Sequence, residues 1–241
     1  MITYSVYTDV GSREINEDSA RVREIGDKKI FVVADGLGGH GRGEVASGLV
    51  ADFISSFLNE KSSINKYLEY SVQAAQDVLM EEQEKQKARN EMKTTVVALM
   101  IEKNKAKWSH CGDSRLYRFY KNKVEERTLD HSIPQMLVLT HEIKEEEIRH
   151  HSERNLVLKV MGSKWEKPQY DVSKKVNIKK CQAFLLCTDG FWELITEDYM
   201  ERFLQESKSV DEWMEKMAAV VKKNGENTNM DNNTAIAVWC D

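Results

Sequence analysis

Proline is scarce in this chain: Pro134 and Pro168 are the only two among 241 residues. No Gly/Ser-rich stretch stands in for it, so nothing marks a linker or a boundary, and no internal repeat breaks residues 1–241 into units. Long apolar runs are missing too. No stretch approaches the roughly 20 apolar residues that a membrane-crossing helix needs. A basic surplus is absent: net charge is −5 and pI about 5.8. That excludes bulk attraction to nucleic acid or to an anionic lipid surface. The opening Met1–Ser5 has neither a basic region nor an apolar core, so no signal peptide is expected. The four cysteines (Cys111, Cys181, Cys187, Cys240) show no CxxC spacing. They read as reduced thiols of a cytoplasmic protein, with a zinc site or redox pair as the weaker alternative.

What the chain does have is a large apolar fraction, 41%, enough for a substantial core. Ile2–Tyr7 and Lys29–Ala34 read as strands, the second apolar on both faces and so expected to be buried on both. Val45, Leu49, Val50, Phe53, Ile54, Phe57 and Leu58 fall at helical spacing over 44–58. A second helix is expected over 63–90, its far end (81–89) polar enough to be solvated. Short strands follow over 94–101, 106–111, 115–120 and 123–126, joined by turn-like Lys103-Asn104-Lys105 and Tyr120-Lys121-Asn122. Residues 130–151 are polar and partly helical. Phe184–Thr188 is another buried strand, 197–204 and 210–223 are helices, and Thr234–Cys240 closes as a strand. Strands and helices come in blocks, which predicts segregated α+β layers: an antiparallel β-sandwich flanked by helices.

Four short stretches set an aspartate at a strand end or in a turn: Val33-Ala34-Asp35-Gly36, Gly112-Asp113-Ser114-Arg115, Cys187-Thr188-Asp189-Gly190 and Asp231-Asn232-Asn233-Thr234. Magnesium and manganese prefer such hard oxygen ligands, and carboxylates delivered by distant strand ends are what a two-metal hydrolytic centre requires. One Asp-Gly alone is merely a turn dipeptide. Residues 36–43 hold five glycines. The spacing is wrong for a dinucleotide fingerprint, and glycines at such a point let backbone come close to an ion or phosphate. His40 lies in this loop as a possible proton donor. Arg13 could grip a phosphate through paired N–H donors, with Glu17 and Asp18 facing metal-held water. Read alone, 13–18 is only a polar turn.

Taken together, these blocks resemble the metal-dependent protein phosphatases, the protein phosphatase 2C family. The resemblance runs from Thr8-Asp9-Val10-Gly11 to Asn233-Thr234. It is carried by 13–18, 32–47, Thr94-Thr95, 112–117, Asp130-His131-Ser132, 155–162, 188–193 and 231–234, in the family's order and at about its spacing. The layout resembles the short bacterial members, one catalytic domain spanning 1–241. The resemblance implies αββα layers, a sandwich with a pair of antiparallel helices on each face and a flap over the metal site at about 133–162. Two manganese or magnesium ions are implied, with a third, weaker one. Asp35 would bridge two ions, the Gly36 carbonyl would complete one shell, Asp189 and Asp231 would hold the other ion, and Asp113 with Asp189 the third. Glu17 and Asp18 would act through metal-held water, Arg13 would grip phosphate and Asn232 would support the site.

The implied reaction is hydrolysis of phosphoserine and phosphothreonine in proteins by direct attack of a metal-bridging water on phosphorus, with no covalent phosphoenzyme. Implied partners are phosphorylated proteins, products of a serine/threonine kinase, and the chain is expected to be a monomer. The candidate acid is His40. Some members place a histidine directly after the Asp-Gly pair, where this chain has Leu37. Thr188 stands where serine is frequent and Lys159 where arginine is frequent; neither removes a ligand. Thr94-Thr95 is expected to satisfy partners beside the site, and His131 to belong to a structural turn. Two other classes compete. A non-catalytic regulator would be expected to lack one or more of the aspartates, and a phosphodiesterase or nuclease would want a basic groove or stacking platform.

Overall fold

A computed structural model describes residues 1–37, 41–88 and 91–240. In chain order it contains β1 (Ile2–Asp9), β2 (Asp18–Ile25), β3 (Lys28–Asp35), α1 (Gly43–Ser56), α2 (Tyr67–Lys85), β4 (Val96–Glu102), β5 (Lys105–Cys111), β6 (Arg115–Tyr120) and β7 (Lys123–Arg127). There follow α3 (Ile133–Leu139), β8 (Asp171–Val172), β9 (Val176–Asn177), β10 (Ala183–Cys187), α4 (Asp189–Trp192), α5 (Glu197–Glu206), α6 (Val210–Gly225) and β11 (Asn233–Cys240). The strands form two antiparallel sheets. One runs β1-β11-β10-β6-β7; the other runs β2-β3-β4-β5-β8, with β9 also on β5.

Strand alternation builds the layers. In β3, Phe31 and Val33 face the other sheet and meet Leu116, Phe184, Leu186, Ile236 and Val238. Ile30, Val32 and Ala34 face the opposite way, onto Val50 and Ile54 of α1 and Leu68, Val72 and Leu79 of α2. That double burial is why β3 is apolar throughout. On the far side, Leu185, Ala235 and Ala237 pack against Trp213 and Met217 of α6 and Met200, Phe203 and Leu204 of α5. The αββα sandwich expected from the resemblance is therefore present.

Two expectations need correction. Strand β2 was not foreseen, although Ala20-Arg21-Val22-Arg23 alternates. Ala20 and Val22 pack on the inter-sheet core, while the Arg21 guanidinium binds Asp52 of α1 and Arg23 donates to the Ser56 carbonyl at 3.3 Å. Two arginines in four residues hide the apolar period. The polar tail of α2 is also not simply solvated. The helix ends at Lys85, and Gln83 is buried, its Nε2 donating to the carbonyls of Glu91 (2.9 Å), Met92 (3.2 Å) and Gly162 (2.8 Å). Two turns earlier, Gln76 Oε1 accepts from the Gly162 N–H at 2.8 Å. This end of α2 is a bracket for the chain around Gly162, a role that needs amides rather than apolar groups. The four cysteines are free thiols, three of them buried.

The topology places particular strand ends together. Register pairs Asp9 with Asn233 and Cys187 with Ala235 and with Arg115. In the second sheet it pairs Asp18 with Asp35 and Val96 with Cys111. The segments around 9–18, 35–36, 112–114, 188–190 and 231–233 therefore gather at one end of the sandwich.

Candidate metal centre

Asp18 opens β2 directly opposite Asp35, which ends β3. The backbone of Asp35 is fixed from β4: Thr95 N–H donates to its carbonyl at 2.8 Å, Thr94 Oγ1 donates to the same oxygen at 2.7 Å, and Asp35 N–H donates to Thr95 Oγ1 at 3.2 Å. The two threonines thus serve partners beside the site, as expected. From the other sheet, the Thr188 hydroxyl donates to Asp18 Oδ2 at 2.9 Å, joining the sheets at this end. Asp18 Oδ1 is buried and has no hydrogen-bond partner among the described residues. Asp189 caps β10 at the start of α4, and Asp113 follows the tight Gly112 turn after β5.

The side chains crowd one another. Asp35 and Asp189 lie near enough for each carboxyl to act on the other. Burial first, and then the charges of Asp189, Asp18 and Asp113, push the Asp35 carboxyl far above the usual carboxylate range. Burial and Asp189 do the same to Asp113. Asp18 is pushed up to about 8, chiefly by burial and then by Asp189 and Asp231, against the lowering effect of the Thr234 and Thr188 hydroxyls. Asp189 is raised by burial and by Asp231, with the Asp35 carboxyl opposing. Carboxyls from four strand-end segments, brought to one end of the sandwich with one buried oxygen unpartnered among the described residues, form a donor set that fits divalent cations.

Gly36 is held at this end by its N–H to the Glu17 carbonyl (3.1 Å), and a Cβ there would sit 2.3 Å from the Gly43 carbonyl oxygen. Glycine is needed for α1 to approach so closely. Asn232 is a strap: its Oδ1 accepts from Glu17 N–H at 2.8 Å, and its Nδ2 donates to the carbonyls of Val10 (2.8 Å) and Ile15 (3.0 Å). That fixes the 10–17 loop on β11. The Glu17 carboxyl is raised by burial and by Glu44. Arg13 binds Asp231 through two hydrogen bonds, Nε–Oδ1 at 3.0 Å and Nη2–Oδ2 at 2.9 Å, both side chains about half exposed. The predicted phosphate grip and a predicted ligand therefore hold each other here. His40 lies outside the described residues.

Supports that sequence reasoning did not single out surround the carboxylates. Trp192 Nε1 donates to the Asp113 carbonyl at 3.0 Å. The Arg115 guanidinium stacks on the Trp192 ring, 3.3 Å from its centroid, and forms a fully buried bidentate pair with Asp130 at 2.9 and 2.6 Å. Arg115 and Asp130 stood inside blocks of the resemblance, yet nothing in one sequence pairs residues fifteen apart.

A carboxylate centre at one end of an αββα sandwich defines a class of metal-dependent hydrolase. The family model of protein phosphatase 2C matches residues 9–234, and the chain belongs to that family. The chain is 32% identical over 213 residues to the serine/threonine phosphatase stp of Listeria welshimeri, covering 85% of this chain and 84% of that one. It is 26% identical over 211 residues to the serine/threonine protein phosphatase PstP of Mycobacterium tuberculosis, covering 85% of this chain and 39% of that longer protein. Among solved structures, serine/threonine phosphatase Stp1 from Staphylococcus aureus superposes with a TM-score of 0.89 at 26% identity, covering 100% of this chain and 96% of that one. The PstP catalytic domain in complex with two manganese ions gives 0.79 at 24% identity, covering 99% and 97%.

Proposed function

We propose that residues 1–241 act as one catalytic domain whose carboxylate centre is Asp35, Asp113, Asp189 and Asp231, with Asp18 and Glu17 around it. The protein is a metal-dependent serine/threonine protein phosphatase, and its substrates are phosphoproteins. One observation carries the site assignment: strand register brings Asp18, Asp35, Asp113 and Asp189, from four separate segments, to one end of the sandwich, where burial pushes each carboxyl upward.

When bound, divalent cations supply charge neutralisation and water activation for attack on phosphorus. The residues would divide the work as follows. Asp35 and the Gly36 carbonyl, with Asp189 and Asp231, would hold two cations, manganese or magnesium, two manganese ions being bound in the similar PstP catalytic domain. Asp113 with Asp189 would hold a third. Asp18 and Glu17 would accept hydrogen bonds from water around them. Arg13 leaves Asp231 to place two N–H donors on the phosphate, and the exposure of that pair makes the exchange easy. His40 protonates the departing alkoxide. The flap at about 133–162 contributes to substrate choice. The opposing enzyme is a serine/threonine kinase, and the protein acts as a cytoplasmic monomer; no described helix is long and apolar enough to cross a membrane.

Phosphate release from a phosphothreonine peptide tests this reading. Release should require manganese or magnesium and be abolished in Asp35→Ala. Arg13→Ala should raise KM, and His40→Asn should lower kcat most for poor leaving groups. No release from the wild type with either cation overturns the assignment.

A further inference from the structure

Outside the carboxylate centre, His110, His131 and Asp171 bring three donor atoms within 4.8 Å of one another. The composition is that of a metal site, but the hydrogen bonds are not. The two imidazoles stack, centroids 4.6 Å apart and planes 14° apart, so their in-plane lone pairs run side by side rather than converging. His131 Nδ1 accepts from the Gly112 N–H at 3.1 Å. A neutral ring then carries its proton on Nε2, where it is donated to Asp171 Oδ2 at 3.1 Å. His110 Nε2–H is likewise spent on the Leu129 carbonyl, 2.8 Å away. A cation on His131 Nε2 would drive the ring proton to Nδ1, against the Gly112 N–H. Burial and the neighbouring His110 pull His131 down to about 4, which keeps the ring neutral at neutral pH.

The same bonds suit another task. Gly112 has φ +108°, and a Cβ there would lie 2.6 Å from Thr95, so the position excludes every side chain. A glycine peptide has no side chain to anchor it, and this one sets the direction of Asp113. His131 grips it twice: by Nδ1 on the Gly112 N–H, and by its own N–H on the Gly112 carbonyl at 3.0 Å. Trp192 Nε1 holds the carbonyl on the far side of Asp113. The His131 carbonyl accepts from the Leu158 N–H at 2.6 Å, and the next residue, Ser132, bridges to Val157. We propose that His131 is a positioning residue for Asp113, clamping the Gly112 peptide and joining it to the returning strand of the flap, with Asp171 fixing its tautomer. The proposal rests on the reading of Asp113 as a cation ligand.

Two substitutions separate the clamp from mere space-filling. Asn places an oxygen near the position of Nδ1 and can still accept from Gly112; Gln places its amide near Nε2 and cannot. Manganese titrations would be followed by phosphate release and, independently, by calorimetry. His131→Gln should weaken manganese dependence about tenfold with KM for the peptide little changed, and His131→Asn should stay within about twofold of wild type. In an Asp113→Ala background, His131→Gln should add nothing to the loss of manganese binding. Wild-type manganese binding in His131→Gln, an Asn variant as impaired as Gln, or a full extra loss in the Asp113→Ala background would each overturn the proposal. Should His131→Gln fail to fold, judged by circular dichroism, Asp171→Ala takes its place. That side chain is 65% exposed, and its removal frees the wrong tautomer; unchanged manganese binding there overturns the clamp. A wild type that binds manganese but releases no phosphate would sink the phosphatase reading while leaving the clamp readable by calorimetry.

Discussion

At the scale of single residues, the most exposed commitment of this molecule is a buried charge. Asp130 and Arg115 have side chains 1% and 2% exposed, and Arg127 adds a second guanidinium at 3.1 Å. Removing Asp130 strips the buried Arg115 of its carboxylate, while Arg127 keeps Glu145; an uncompensated buried charge costs about 3–5 kcal/mol. Asp130→Ala should therefore lower the unfolding free energy measured by urea titration by that amount. It should also impair manganese dependence, because Arg115 backs the Trp192 ring that holds the Asp113 carbonyl. A loss below about 1 kcal/mol, the range of an exposed pair, would show that water reaches these charges. The metal-type aspartates were legible in the sequence because an apolar run lies before or after each. Arg115–Asp130 was not, because its meaning lies in a pairing across space.

At the scale of elements, the flap is the part that sequence described least. It was read as polar and partly helical, and it does contain α3 and a 3-10 turn at Glu145–His150. What fixes it is a set of arginines that look, in sequence, like ordinary solvated charge. Arg149 donates to the carbonyls of Trp192 and Ile195, each at 3.1 Å, and to Glu197 Oε1 at 2.9 Å. Arg154 donates to Glu193 at 3.1 Å. The flap is thereby bolted to the segment that begins with Asp189. Strand β2 was missed for the related reason that arginines serving α1 interrupt its apolar period, whereas β3, β10 and β11, buried on both faces, announced themselves. Hydrogen bonds to a charged group contribute about 1.5–3 kcal/mol each, less where solvent competes. Arg149→Ala should therefore release the flap without unfolding the sandwich. Limited proteolysis within 140–158 should quicken at least tenfold, about 1.4 kcal/mol of local opening, while the global thermal midpoint moves little. Unchanged cleavage would mean that the flap is held by something other than these bonds.

At the scale of the whole molecule, both sheets end in the same cluster of negative charge, so metal, pH and stability are linked. In the metal-free protein burial pushes the carboxyl of Asp18 up to about 8, well above the ordinary carboxylate range, and Asp35, Asp113 and Asp189 are raised with it. A carboxyl raised on folding stabilises the folded state fully below its unfolded pKa, and that contribution is lost as pH rises through the folded value. His131 works in the opposite sense: pulled down to about 4 from the ordinary histidine range, it favours folding as pH rises, but that gain is nearly complete by pH 7. Between about pH 7 and pH 8.5 the aspartates therefore act together with Glu193, whose carboxyl is pushed up to about 7 by burial and by Asp189 and which works in the same sense. The thermal midpoint of chelated protein should fall steadily across that window. Saturating manganese should reverse the trend, because cations stabilise the ionised carboxylates, and at a hundred times the dissociation constant it should add about 2.7 kcal/mol. Calorimetry with and without chelator measures both effects. A chelated protein whose midpoint stays level from pH 7 to 8.5 would mean that the four carboxyls do not share one enclosed space, and the metal centre would have to be sought elsewhere in the fold.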